Sequence, residues 1–354
     1  MTEELIRLRQ EIDDVDEQII KLLAYRLKLS RKIGKIKLSS STFITDENRE
    51  NKVKENWISN ARKYNIPESL IESILPIIFS YSKLMQINAG EKERIVIYGY
   101  GGMARSLTTI LLLAGHEVTI SGRDLNKAEM LAKQLNCASM PISQALSWGE
   151  IIILAIPPSA IMENIAPLAN KLTNRIVMDI SSSKNNIYKY MEEFSKKFNF
   201  KYISIHPLFG PIDYPVGERI VIIPSETSTK QDIERIESLW RNAGLVTLIS
   251  DVDTHEKAMA IVQVLTHYYL LGLSNSIDLL SKEFMVDLSN FHTTNFREIS
   301  KVLNKVKDLE EVIMEIQSQN PYAYKVRETG LEVLKKIKEK LERGQKNDTV
   351  YSER

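Results

Sequence analysis

Cysteine is almost missing from this chain: its 354 residues include one, Cys137. An internal disulfide is therefore excluded, and a reducing compartment such as the cytoplasm is the expected setting. A dominant charge is missing too. The 47 basic side chains meet 46 acidic ones, so no basic field invites nucleic acid or an anionic membrane surface. No apolar run approaches the ~20 residues that span a bilayer, and the charged start MTEELIRLRQEIDD lacks the apolar stretch of a signal peptide. Glycine and proline are sparse, at 14 and 11. Where they cluster, as in GYGG (99–102) and HPLFGPIDYP (206–215), they mark a backbone with a task.

What is present divides into three styles. Residues 3 to 38 read as one helix, with Leu5, Leu8, Ile12, Val15, Ile19, Leu22, Leu29, Ile33 and Ile36 at alternating steps of three and four. Such a helix is roughly 50 Å long, too long to hide its seam in a small domain, so a second subunit is expected beside it. Further helices are expected from about Asp46 to Tyr64 and from Pro67 to Ile87, the latter kinked or broken at Pro76. Residues 88–93, NAGEKE, have linker composition.

One seam position is not apolar. Arg26 stands where the pattern asks for a hydrophobic residue, and Lys37, eleven residues on, shares its face. Arg9 lies about a quarter-turn away, where a partner subunit would meet it. Asp46, Arg49 and Glu50 have i, i+3, i+4 spacing, and Ser82 and Gln86 form an i, i+4 pair. Taken singly, each cluster reads as a snorkelling arginine, a cap or a solvated network.

The middle of the chain reads as alternating strand and helix: IYGYGGMA (97–104), EIIILAIPP (150–158), RIVMDISS (175–182), KYISIHP (201–207) and RIVIIPS (219–225). This is the pattern of a doubly wound parallel sheet. Gly99, Gly101 and Ala104 give G-x-G-x-x-A after a strand and before an apolar helix, a dinucleotide-binding turn that draws in Tyr100, Gly102 and Met103. The following strand ends Ser121-Gly122-Arg123. An arginine in place of the usual carboxylate suits a 2′-phosphate, which favours NADP, although the neighbouring Asp124 leaves NAD open. Ala155, Ile156 and Pro157, ending the next strand, are expected beside the nicotinamide. From about Lys230 the chain reads helical to Arg343, with a frayed polar tail.

Together the N-terminal clusters resemble the all-helical class of chorismate mutases, through LxxLRxxIDxxDxxIxxLLxxR (5–26), IGKIK (33–37), DENRE (46–50) and SKLMQ (82–86). The resemblance implies that Arg26, and Arg9 of a partner subunit, bind the substrate carboxylates. It makes Lys37 and Gln86 the donors to the ether oxygen of the breaking bond. Asp46 and Glu50 would hold the substrate hydroxyl, with Arg49 and Ser82 supporting. The chemistry agrees, because a [3,3] rearrangement needs a dianion held compactly with donors at the ether oxygen and no nucleophile or metal.

Residues 94 to 330 resemble prephenate dehydrogenases through the Gly-rich turn, DISSSK (179–184), HPLFGP (206–211) and VQVLTHYYL (262–270). That likeness makes His206 the acceptor of the ring-hydroxyl proton, a task suited to a neutral imidazole near pH 7. It places Ser182 beside His206 and substrate, His267 in the pocket, and Arg297 in FHTTNFRE on the substrate carboxylate. The implied architecture is an all-α mutase domain of three helices paired as an intertwined dimer (1–90), an α/β Rossmann-type domain (91–225), a helical dimerisation domain (226–345) and a polar tail (346–354). The implied protein is a homodimer turning chorismate into prephenate and then into 4-hydroxyphenylpyruvate, with no metal. Tyrosine is a candidate feedback inhibitor. Two other readings stay open: a dehydrogenase for arogenate, and N-terminal helices that bind an aromatic acid without turning it over.

Overall fold

The computed structural model of the chain describes residues 3–39, 44, 46–87 and 91–351. Most of the loop expected after the first helix, and residues 88–90 of the expected linker, lie outside these. The chain forms two compact units, residues 1–181 with 192–249, and residues 182–191 with 250–354.

The first unit begins with α1 (Glu3–Ser39), α2 (Glu47–Lys63) and α3 (Glu68–Leu84). Asp46 caps α2 by accepting from the amide of Arg49 at 2.9 Å. α3 runs through Pro76 without breaking. Ile71 and Leu75 before the proline are buried with Ala61 of α2, and Phe79 packs on the same cluster from beyond it, so packing holds the helix across the lost donor. Gly34 lets α1 touch the end of α3, since a Cβ there would fall 2.6 Å from the Cα of Gln86.

The sheet follows as β1 (Arg94–Tyr98), α4 (Gly102–Leu113), β2 (Glu117–Ser121), α5 (Leu125–Leu135), β3 (Ala138–Ser139), α6 (Ile142–Trp148), β4 (Ile151–Leu154) and α7 (Pro158–Asn164). It continues with β5 (Ile176–Asp179), α8 (Asn185–Phe198), β6 (Lys201–Pro207), β7 (Arg219–Pro224), α9 (Lys230–Asn242) and β8 (Val246–Ile249). The strand order is β3-β2-β1-β4-β5-β6-β7-β8. Order reverses between β1 and β4, the crevice where doubly wound sheets bind their ligands.

Two expectations need correction. The sheet is not wholly parallel, because β7 pairs antiparallel to β6, with His206 opposite Val221. No helix crosses over between these two strands, so the chain returns the opposite way. Nor does the sheet end at residue 225: α9 and β8 complete it, and the unit runs to Ile249. β8 was hidden in a stretch read as helical, being four residues long and exposed at Leu248 and Ile249.

The core of the sheet reaches into the N-terminal helices. Ile87 belongs to it, and Ile44 and Leu84 pack against it. Residue 90 is therefore a boundary along the chain and not a gap in the packing.

The second unit is helical: α10 (Val252–Met259), a π-helical turn (Ala260–Leu265), α11 (Thr266–Glu283), α12 (Thr294–Asp308), α13 (Glu310–Gln319) and α14 (Ala323–Tyr351). α14 continues past residue 345, where a frayed tail was expected. Among the described residues no helix is long and apolar enough to cross a membrane.

The seam of α1 lies open, with Leu22 68% and Ile36 67% exposed. Covering one such side chain contributes roughly 1.5–3 kcal/mol. Light scattering on the full chain at micromolar concentration should therefore give two copies per particle; a single-chain mass would refute this.

Candidate active sites

One cavity, of about 440 Å³, lies among α1, α2 and α3. It collects Arg26, Lys37, Asp46, Arg49, Glu50, Ser82 and Gln86, seven of the eight polar residues singled out in this region. Arg9 is not among them. It sits on the exposed side of α1, 17 positions before Arg26, or about 25 Å along the helix. Arg26 donates to the hydroxyl of Ser82, which donates in turn to the carbonyl of Ile78 at 2.6 Å. Burial, with help from Arg49, holds the Arg26 guanidinium below its ordinary pKa. The Lys37 ammonium donates to the carbonyl of Ile44 at 2.9 Å, and burial lowers its pKa against the pull of Asp46 and Glu50. Gln86 lies beyond the last residue of α3, yet its side chain continues the helical spacing by donating to the carbonyl of Ser82 at 3.1 Å. Lys83, which the sequence reading passed over, also lines the cavity and pairs with Glu50 at 3.2 Å.

A second cavity, of about 390 Å³, opens where β1 and β4 end. Gly99, Tyr100, Gly101, Gly122, Arg123, Ala155, Ile156 and Pro157 line it, joined by Tyr98, Ala160 and Asn164. Only glycine fits position 99: φ is +144°, and a Cβ would fall 2.2 Å from the carbonyl oxygen of Ala155. A Cβ on Gly101, the N-cap of the twelve-residue α4, would meet nothing within 4 Å. The turn thus leaves open space at a helix N-terminus, which fits a pyrophosphate.

Four residues expected here do not line the cavity. Gly102 makes room for Pro211, whose ring a Cβ would strike at 2.7 Å. Met103 follows it into α4, and neither lines the cavity. Ala104 is fully buried, as its packing role requires. Ser121 is fully buried too, its carbonyl accepting from the amide of Gly99 at 2.8 Å. Gly122 is small for a different reason than a phosphate, since the ring of Tyr100 lies against it. Arg123 is exposed at the cavity edge, whereas Asp124 is engaged as the N-cap of α5, accepting from Lys127 at 3.2 Å.

His206 is 4% exposed on β6. Tyr202 and Ser204 share its strand face. Their hydroxyls donate to one oxygen of Asp179, at 2.6 and 2.5 Å, while the amide of Ser181 donates to the other at 2.9 Å. The aspartate of DISSSK therefore ties β5 to β6. The loop after His206 is tied down at Ile212, whose amide donates to the Ser106 hydroxyl at 2.9 Å.

In the second unit, Ser182 is half-buried. Next to it, Glu256 is a buried carboxylate the sequence reading missed. It accepts from the Ser183 hydroxyl at 3.3 Å, the Lys184 amide at 2.5 Å and the Asn320 side chain at 2.9 Å. Nothing in single-sequence patterning separates Glu256 from other helix glutamates. His267 lies on α11 just after the π-helical turn, a device frequent at functional sites. Burial lowers its pKa. Arg297 is exposed on α12. Among the described residues no cluster of His, Cys, Asp or Glu could hold a metal ion.

A cavity of cations and donors without a nucleophile, followed by a dinucleotide turn and a strand-end histidine, defines a helical mutase joined to a nicotinamide-dependent oxidoreductase. Comparison with known proteins agrees. Residues 8–87 match chorismate mutase type II, residues 108–249 the nucleotide-binding domain of prephenate dehydrogenase, and residues 251–351 its dimerization domain. The chain belongs to these families: it is a chorismate mutase fused to a prephenate dehydrogenase, the domain pair of a bifunctional enzyme of tyrosine biosynthesis.

A T-protein of Enterobacter agglomerans is 26% identical over 276 residues, covering 76% of this chain and 69% of that protein. A probable arogenate/prephenate dehydrogenase of Methanocaldococcus jannaschii is 28% identical over 236 residues, or 65% of this chain, which spans half of that protein's length. The crystal structure of prephenate dehydrogenase from A. aeolicus, in complex with hydroxyphenyl propionate and NAD+, shares the fold at a TM-score of 0.57. It is 16% identical and covers 74% of this chain and 98% of that one.

Because Asp124 works as a helix cap, Asp124→Ala should cost about 1 kcal/mol of stability in urea unfolding. An unchanged midpoint would show that the cap contributes nothing.

Proposed function

We propose that the two families' reactions run on the residues gathered in these cavities. In the first, Arg26 and the partner's Arg9 grip the carboxylates of chorismate and fold it into a chair. Lys37 and Gln86 donate to the ether oxygen as it gains charge, while Glu50 and Asp46 accept from the ring hydroxyl. Arg49 and Ser82 hold these groups in place. The observation that carries this reading is the convergence of seven matching residues in one cavity. Intact donors and cations also speak against a module that binds without turnover.

Prephenate then loses its C4 hydride and the carboxylate on the same ring. A nicotinamide held at the Gly-rich turn would supply the hydride acceptor. His206 takes the proton of the ring hydroxyl as the carbonyl forms and returns it to the phenolate oxygen once CO₂ has left and the ring is aromatic. The buried, proline-flanked position of His206 suits a fixed base. Ser182, His267 and Arg297 are proposed as the other substrate contacts, on the resemblance alone, as is tyrosine as a feedback ligand. A cytoplasmic homodimer fits the lone cysteine and the open α1 seam. Arogenate is the second reading, favoured by the description of the Methanocaldococcus relative.

Product analysis on the full chain tests both steps. Chorismate with cofactor should yield 4-hydroxyphenylpyruvate; faster turnover of arogenate than of prephenate would overturn the substrate assignment. His206→Asn should cut prephenate oxidation by two or more orders of magnitude, on the scale of general-base catalysis, and leave prephenate accumulating from chorismate.

NADP is the proposed cofactor. Arg123 borders the cavity and the carboxylate that follows it in the chain, Asp124, is taken up by capping, which supports a 2′-phosphate site. KM should be lower for NADP than for NAD, and Arg123→Ala should raise the KM for NADP about tenfold, the worth of one charge-assisted contact, with little change for NAD. Equal effects on both would refute the assignment.

A further inference from the structure

The side chains that line the mutase cavity all come from the N-terminal segment, but one of them, Lys83, also touches residues far along the chain. Lys83 is 16% exposed along its side chain and holds Glu50 at 3.2 Å. On its other side it meets the nucleotide-binding domain. A Cβ on Gly217 would fall 2.9 Å from the Lys83 ammonium and 3.2 Å from its Cε. Gly217 precedes β7, has φ +88°, and is pinned by its amide donating to the carbonyl of Gly244 at 2.8 Å. The ammonium therefore sits between a carboxylate of the mutase domain and the backbone at residue 217 of the dehydrogenase half.

A second contact has the same character. Lys37 donates to the carbonyl of Ile44, and the Ile44 side chain packs against the core of the sheet. Lys83 directly, and Lys37 through Ile44, are thus held where the N-terminal segment packs on the sheet domain.

We propose that Lys83 is a positioning residue for the mutase reaction. It orients Glu50 towards the ring hydroxyl of chorismate, and Gly217 of the nucleotide-binding domain leaves the space in which it does so. This rests on the reading of the cavity as the mutase site. A carboxylate facing a dianionic substrate must be held against its repulsion, and a lysine behind it supplies both the charge and the direction. Lys83 acts through Glu50 and not on the breaking bond. Its loss should thus be felt only by substrates that carry the hydroxyl.

The test uses the full chain with chorismate and with its analogue lacking the ring hydroxyl. Lys83→Met should lower mutase kcat/KM for chorismate about tenfold, the scale of one hydrogen bond to a charged group, and change it little for the analogue. Lys83→Arg should recover most of the loss. Gly217→Ala should also lower mutase kcat/KM, and by much less once Lys83 is already Met, because the two act through one contact. Lys83→Met with wild-type kinetics, equal losses on both substrates, or additive effects with Gly217→Ala would each overturn the proposal. Arg26→Ala, run alongside, tests the underlying reading: full mutase activity in that variant would remove the site itself.

Discussion

A charge taken out of water has to be paired, and this chain builds each of its sites around that requirement. In the helical cavity the desolvated Arg26 leans on the Ser82 hydroxyl, and Lys37 leans on a backbone carbonyl. In the sheet the fully buried Asp179 collects two hydroxyls and an amide. In the helical unit Glu256 does the same with a hydroxyl, an amide and an asparagine. These anchors join segments far apart in sequence, so satisfying one charge fixes the place of two elements. His206 shares that order, standing on the same strand face as the two hydroxyls that hold Asp179.

Much of this was legible in the residues. The 3.6-residue rhythm of α1 and its single arginine, the glycines at 99 and 101, and the His-Pro step at 206 each carry a local physical reason that needs no tertiary structure. What was not legible depended on partners. β8 is four residues at a sheet edge, too short to impose a period-two pattern. The antiparallel turn of β7 follows from a connection that has no helix, and loop geometry leaves little trace in composition. Glu256 and Lys83 look like ordinary helix charges until the fold buries one and pairs the other. Ser121 and Gly102 went the other way. They sit in the right motif but serve packing, one under the Gly99 turn and one beneath Pro211.

The loop between β6 and β7 joins these separate observations. It leaves β6 after Pro207, next to His206, is tied to α4 through Ile212 and Ser106, lays Pro211 on Gly102 of the dinucleotide turn, and passes Lys83 at Gly217 before β7. One stretch of eleven residues beyond Pro207 therefore follows His206, meets the Gly-rich turn and reaches Lys83 at the helical cavity. Its prolines limit the ways it can move while doing so.

Ile87 gives the fusion of the two halves a material meaning. It lies inside the sheet's own core, beside Val216 and close to Gly244, although it comes from the last residues of the mutase segment. Severing the chain between residues 87 and 94 would uncover an isoleucine on one fragment and leave a hole on the other. The join is thus more than a tether that keeps two catalysts in one place. The mutase segment has become part of the sheet's interior, so a single cut would not give back two finished domains.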